Sequence, residues 1–360
     1  MGQQAAPSYT DLVYEVLRSA CRPLSFPEIF EAVNRRRAVS TRDPKATVRN
    51  ALSQGSQLVS LGDGRYGYLP LLVQGSLIRL LLVAEQLGNR FLVLPEAVRH
   101  TLWPSLFESK RRSVTGPIHV RLPDGHEASL SLEFAGQGVW GCPVTDALAR
   151  YLADNHARAG DSLLVRVLDV EGGRAQAWLE PRRQRNRAAI ARRNREVADA
   201  AFDILRQRHT ADLPIWDIMV ALLARGAYRA DVAPDPLEMV LGADPRFAYG
   251  GLSSWLLAEV AATPTAQAMI RERERLQAKL GEVTGGPVAG VAAAAASLLQ
   301  THSMSRRSTR GCGGCASRSS LVLDRRTVPR RVLPAYRSDY SSLTRTCLNL
   351  TAEWWFCSPM

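Results

Sequence analysis

Asp43-Pro44-Lys45-Ala46-Thr47-Val48-Arg49-Asn50-Ala51-Leu52, followed closely by Leu58-Val59-Ser60-Leu61-Gly62-Asp63-Gly64-Arg65-Tyr66-Gly67-Tyr68, is the stretch from which the fold can be read. Asp43 suits a helix N-cap because its carboxylate can accept from the free amides of a first turn. Pro44 suits the first helical position because its missing N–H would have no partner there. Val48 and Leu52 then fall one turn apart on an inward face, and Lys45 and Arg49 share an outward one. A short apolar run follows and meets Gly62-Asp63-Gly64, whose residues tolerate the positive φ of a tight hairpin. The chain returns through Arg65, so a helix with a cationic face is followed by a hairpin with a basic tip.

Two more helices are expected upstream. Leu12, Val13, Val16 and Leu17 give a helical stripe over residues 10–19. A second helix begins at Ser25, with Glu28 completing a capping box, Leu24 positioned to staple onto Ile29, and Arg35-Arg36-Arg37 at its end. Helices and hairpin within residues 8–70 describe a winged helix, with Lys45, Thr47, Arg49, Asn50 and Arg65 as candidate DNA contacts.

Several of these residues resemble a known family. Tyr14-Glu15-Val16-Leu17, Leu24-Ser25-Phe26-Pro27-Glu28-Ile29, Asp43-Pro44 and residues 59–67 are similar to the HARE-type helix-turn-helix domain. That domain occurs in the delta subunit of bacterial RNA polymerase and in modules fused to chromatin proteins and restriction endonucleases. The resemblance implies a transcription-associated or DNA-linked role, exercised on DNA or on a protein partner.

Length and charge agree with such a role. The 360 residues allow two or three cored domains, and 46% apolar with 22% charged residues is ordinary globular composition. A formal net charge of +12 favours a polyanionic partner. In the part of the chain that reads as folded only Cys21 and Cys142 occur, too few and too far apart for a disulfide framework, which points to a reducing cytoplasm. Residues 1–6 carry no secretory pattern and Ala6 breaks the myristoylation pattern. The Ala-rich run 288–299 is too short to span a bilayer, so no membrane association is expected.

Residues 76–181 alternate apolar and polar side chains between Gly and Pro breaks, which predicts a β-rich domain. Residues 77–83 and 91–95 read as strands. Ile118, Val120 and Leu122 pair across Pro123-Asp124-Gly125 with Leu130, Leu132 and Phe134, and a helix is expected over 145–156. This order resembles the pseudobarrel DNA-binding domain of plant auxin-response factors, also found in some restriction enzymes. Residues 182–196 read as an Arg-rich linker helix, solvated or touching phosphate through Arg182, Arg183 and Arg185.

Residues 197–262 repeat the opening. Phe202-Asp203-Ile204-Leu205-Arg206 answers Tyr14-Glu15-Val16-Leu17-Arg18, residues 213–218 answer 24–29, and Asp235-Pro236 answers Asp43-Pro44. A second, diverged winged helix is expected, with Leu237 and Leu241 where the first has Lys45 and Arg49, and Asp244-Pro245-Arg246-Phe247 in place of the Gly-Asp-Gly turn. Such a surface suits RNA polymerase, another protein or another domain better than phosphate. Residues 263–286 predict a charged helix with Met269, Leu276 and Leu280 as its apolar positions. Residues 287–360 read as disordered or as a stretch from a shifted reading frame. Cys312-Gly313-Gly314-Cys315 has no second pair at zinc-site spacing, so no metal or other cofactor is expected.

No phosphate loop, nucleophile elbow or His-Glu-x-x-His is present. Asp124, Glu127 and Glu133 invite a nuclease reading, but no Lys follows Glu133 at the short spacing such nucleases use, and His119 and His126 read as surface residues. The fold class expected is α+β: winged helix, β-rich pseudobarrel, second diverged winged helix and C-terminal tail, in a non-enzymatic DNA-binding or transcription-associated protein. Ordering costs roughly 1–2 kcal/mol per residue, which the apolar-poor tail cannot offset. Truncation after Gly286 is therefore expected to leave cooperative unfolding and DNA binding unchanged, as checked by denaturant titration and duplex binding.

Overall fold

A computed structural model describes residues 7–55, 57–103, 116–135, 139–208 and 212–283. Helix α1 (Tyr9–Ala20) starts at a capping box that the apolar stripe does not announce: the Ser8 hydroxyl accepts from the Asp11 amide at 3.1 Å, and the Asp11 carboxylate accepts from the Ser8 amide at 3.0 Å. Strand β1 (Leu24–Ser25) leads into α2 (Phe26–Arg36), where Glu28 takes the Ser25 amide at 2.7 Å. Helix α3 (Pro44–Gln54) is capped by Asp43, whose carboxylate accepts from the Ala46 amide at 2.9 Å. Strands β2 (Leu58–Ser60) and β3 (Arg65–Tyr68) close the hairpin, with Gly62 and Gly64 at φ of 83° and 78°. The sheet order is β1-β3-β2. Leu12, Val13, Leu17, Ile29, Val33, Val48 and Leu52 fill a core of their own.

The middle region joins α4 (Leu69–Val73), β4 (Leu77–Leu81), α5 (Ala84–Asn89), β5 (Phe91–Val93), α6 (Glu96–Leu102), β6 (Ile118–Arg121), β7 (Glu127–Leu130), β8 (Glu133–Phe134), β9 (Trp140–Pro143), α7 (Asp146–Asp154), β10 (Ser162–Asp169) and β11 (Arg174–Glu180). It holds a five-stranded sheet, β4-β10-β11-β6-β7, and a three-stranded one, β5-β9-β8. The expected hairpin is present between β6 and β7 in the register Ile118↔Leu130, with Gly125 at φ 83° in its turn, but Leu132 lies beyond it and Phe134 pairs instead with Trp140 in the β5-β9-β8 sheet. Helices α5 and α6 leave no mark on the alternation because each is seven residues or fewer.

From Arg187 the chain enters a single 21-residue helix, α8 (Arg187–Gln207). The expected linker helix and the first helix of the second repeat are thus one element. Strand β12 (Leu213–Pro214), α9 (Ile215–Ala224), α10 (Leu237–Ala243), β13 (Phe247–Gly251) and β14 (Ser254–Leu257) follow, then α11 (Ala258–Ala261) and α12 (Pro264–Val283). Order and pairing repeat the first module: β12-β14-β13 matches β1-β3-β2, and Leu213↔Trp255 matches Leu24↔Tyr66.

The register corrects two details of the sequence reading. The second hairpin turns at Gly251-Leu252-Ser253, with φ of 79°, 48° and 60°, and not at Asp244-Pro245-Arg246-Phe247. That segment ends α10, where Arg246 forks onto Asp244 at 2.7 and 3.0 Å. Nor does Asp235 repeat the capping role of Asp43. Pro236 stands at the N-cap of α10, and Asp235 instead pairs with Asn194 of α8 at 2.8 Å and lies 3.7 Å from Arg79 of β4. The charged tail helix is observed as α12, while the expectations for residues 287–360 fall outside the described residues.

Arg79 joins the middle region to the second repeat. Its fully buried guanidinium pairs with Glu180 and donates to Ser162 Oγ at 3.1 Å, to the Ala233 carbonyl at 3.0 Å and to the Pro234 carbonyl at 3.3 Å. Nearby, the Leu77 amide donates to the Tyr228 carbonyl at 2.7 Å, extending the edge of β4 onto the second repeat. One continuous apolar core therefore runs from Leu72 and Ile78 through Leu163 to Leu222 and Leu241.

Removing one member of a buried ion pair strands its partners. Arg79→Ala is expected to cost about 3–5 kcal/mol in urea unfolding, against a few tenths for the exposed Arg121→Ala. Glu238 of α10 gives a pH signature. Burial, reinforced by Glu96, pushes its carboxyl up from 4.5 to about 7, with Arg99 opposing. The unfolded chain ionises Glu238 from about pH 4.5 while the folded chain resists, so this group lowers stability as pH rises to about 7. Glu238→Gln should match wild type at pH 4 and be more stable by about 1–3 kcal/mol at pH 8. The same difference at both pH values would contradict it.

Candidate nucleic-acid interface

Pro44, Val48, Ala51 and Leu52 turn α3 toward α1 and the hairpin, which leaves Lys45, Arg49, Asn50 and Ser53 on its exposed side. Lys45 forms no ion pair among the described residues. Arg49 does not float free: its guanidinium sits 4.7 Å from the ring centre of Phe26 at the start of α2. Such a stacking, worth about 0.5–1 kcal/mol when exposed, fixes the direction of the charge while leaving its donors open. Thr47 does something else. Its hydroxyl donates to the Asp43 carbonyl at 3.0 Å and meets Thr41 Oγ1 at 2.8 Å, so it fastens the approach to the helix.

The Arg35-Arg36-Arg37 run is largely engaged inside the module. Arg36 pairs with Glu15 at 2.9 Å, Arg37 lies 4.6 Å over the Tyr9 ring, and Arg35 is 3.9 Å from Glu31. Arg42, exposed just before Asp43, makes no ion pair among the described residues. It lies outside the helical pattern, so periodicity gives no sign of it.

The hairpin has a different environment from α3. Arg65 is exposed, but its fork closes on Asp63 at 2.6 and 2.8 Å. Behind it, Arg208 at the end of α8 donates to the Ser60 carbonyl at 3.3 Å. A Cβ added to Gly62 would come within 1.9 Å of Arg208 Nε and would displace that side chain, while the φ of 83° itself favours glycine there. Val59 and Leu61 bury themselves in the core of the second repeat. Below the module, Glu171 in the turn after β10 pairs with Arg18 at 2.8 Å and accepts from the Tyr68 hydroxyl. The hairpin is therefore docked on the rest of the chain.

The Arg-rich segment divides. Arg182 and Arg183 are exposed on a short 3-10 turn whose Arg182 amide is held by Asp161 at 2.7 Å. Arg185 is not part of that surface. Its guanidinium is only 14% exposed, lies 3.2 Å from Glu180 and donates to Ser162, beside Arg79. Burial next to Arg79 pushes its pKa down.

In the second repeat, Leu237 is 3% and Leu241 0% exposed. Both are buried, and Leu237 borders a small space that is also lined by Ile78 of β4 and by Ala97 and Val98 of α6. Part of the surface anticipated for another protein or domain therefore faces the chain's own middle region. On the β6–β7 hairpin, Asp124 accepts the His126 amide at 3.0 Å and Glu127 and His119 stand exposed, while Glu133 is exposed on β8 of the other sheet. Among the described residues no three His, Cys, Asp or Glu side chains are grouped to hold a metal ion, and no helix is long and apolar enough to cross a membrane.

Residues 8–68 match the HARE-HTH family, a helix-turn-helix domain described from ASXL proteins and restriction endonucleases among others. This is the winged-helix module with its capping boxes and its α3. Comparison with curated proteins and with solved structures yields no match, and nothing supports the auxin-response-factor resemblance of the middle region. Within the HARE-HTH module, Lys45, Arg49 and Asn50 form the outward group and Arg42 stands exposed just before α3, while Thr47 and Arg65 are held by Asp43, Thr41 and Asp63.

Proposed function

We propose that the chain is a non-enzymatic, transcription-associated protein that contacts duplex DNA through the outward side of α3 in its HARE-HTH module. The observation that carries this reading is the pairing of an exposed cationic α3 with a hairpin and second repeat already committed to intramolecular packing. Lys45 and Arg49 are one turn apart, the spacing at which two side chains of a helix laid in the major groove reach neighbouring phosphates or base edges. Asn50 stands beside them with an amide suited to a base edge. Arg182 and Arg183 offer further phosphate contacts, whereas Arg65 has Nε and Nη2 engaged by Asp63 and offers only its remaining N–H groups.

Salt dependence tests the assignment. Removing a phosphate ligand should reduce the slope of log affinity against log salt by about one, and removing a side chain that reads a base should cost about 1–3 kcal/mol. Lys45→Ala and Arg49→Ala are expected to lower affinity and slope together, and Arg65→Ala to change them less. Arg90→Ala, whose parent arginine pairs with Asp146 at 2.6 Å in the middle region, serves as control. Wild-type affinity and slope in both α3 variants, with folding verified by circular dichroism, would refute DNA binding by this helix.

A further inference from the structure

Between the HARE-HTH hairpin and the second repeat lies a cleft that takes no part in the α3 surface. Asp63 and Arg65 stand on one side, Gln207, Arg208 and Arg225 on the other, and Ile204 lies among the lining residues. Its volume is about 30 Å³. At roughly 10–15 Å³ per water, that admits two waters or one tetrahedral oxyanion and excludes a nucleoside.

Three guanidiniums face this space against one lining carboxylate, Asp63, which Arg65 already occupies. Asp217 stands behind Arg208 as a second carboxylate, its carboxyl pushed up by burial. Arg225 donates to Gln207 Oε1 at 3.0 Å and to the Ala200 carbonyl at 3.4 Å, using two of its five N–H groups. Arg208 spends Nη2 on Ser60, while its Nε is buried with no hydrogen-bond partner among the described residues. Guanidiniums that line a water-sized opening with N–H groups beyond those spent on Ser60, Gln207 and Ala200 mark a place for an anion.

We propose that this cleft binds a single phosphate group, held by Arg208 and Arg225 with Arg65 at its rim. A phosphate there bridges the hairpin and the second repeat, since its ligands come from both. The group can belong to a DNA backbone or to free phosphate; the guanidinium chemistry is the same. The site stands independently of the α3 reading, because none of its ligands lies on α3.

The test uses the full chain and inorganic phosphate, titrated calorimetrically at constant ionic strength against chloride. Wild type is expected to show one saturable site. Arg225→Gln should weaken it by about tenfold or more, and Arg225→Lys, which keeps the charge, should lose less. If circular dichroism shows Arg225→Gln misfolded, Arg208→Lys replaces it, with a similar loss expected from breaking the planar fork. A duplex that displaces phosphate assigns the site to the DNA backbone, and phosphate that stays bound beside the duplex assigns it to a free anion. No saturable binding in wild type, or undiminished affinity in the folded variants, overturns the proposal.

Discussion

The buried guanidinium of Arg79 is the constraint on which the arrangement of the chain depends. A charge removed from water on the edge strand β4 is tolerable only if every donor finds an acceptor. Those acceptors come from far apart in sequence: Ser162 and Glu180 from the sheet, Ala233 and Pro234 from the loop before α10. Satisfying one arginine therefore fixes where the second repeat sits against the middle region. Asp235 and Asn194 extend the same network to α8. Arg185 completes it from the other side.

This network explains why two copies of one fold have opposite surfaces. In the HARE-HTH module Asp43 caps α3, and the helix stands clear with Lys45 and Arg49 toward solvent. In the second copy the equivalent aspartate is drawn to Arg79, and Leu237 and Leu241 of α10 are buried. A lysine at position 237 or an arginine at position 241 would be a buried, unpaired charge, whereas leucine adds about 1.5–3 kcal/mol of burial at each. The fold is kept while the recognition surface becomes core.

The arginines sort by what lies within reach of each. Arg79 and Arg185 are structural, Arg36 and Arg37 hold α2 to α1, and Arg208 backs the HARE-HTH hairpin. The cations left open around α3 are Arg42, Lys45 and Arg49. Net positive charge alone thus does not locate the surface offered to a polyanion, because many individual arginines are paired or buried inside the molecule.

Much of the fold was legible in the sequence because its signals are local. Ser25 with Glu28, Asp43 with Pro44, Gly62 with Gly64, and the turn at Asp124-Gly125 each act within a few residues, and the repeated motifs carried the same topology to residues 197–257. Periodicity likewise separated Val48 and Leu52 from Lys45 and Arg49. Which exposed-looking faces stay exposed was decided only in three dimensions. Arg185 and Arg183 are indistinguishable in an Arg-rich run, yet one lies against Glu180 and the other in solvent. The docking of the Gly62 hairpin on Arg208 and the burial of Leu237 beside the middle region join residues more than a hundred positions apart. Caps and turns are set by neighbours along the chain; burial is set by whatever the folded chain brings alongside.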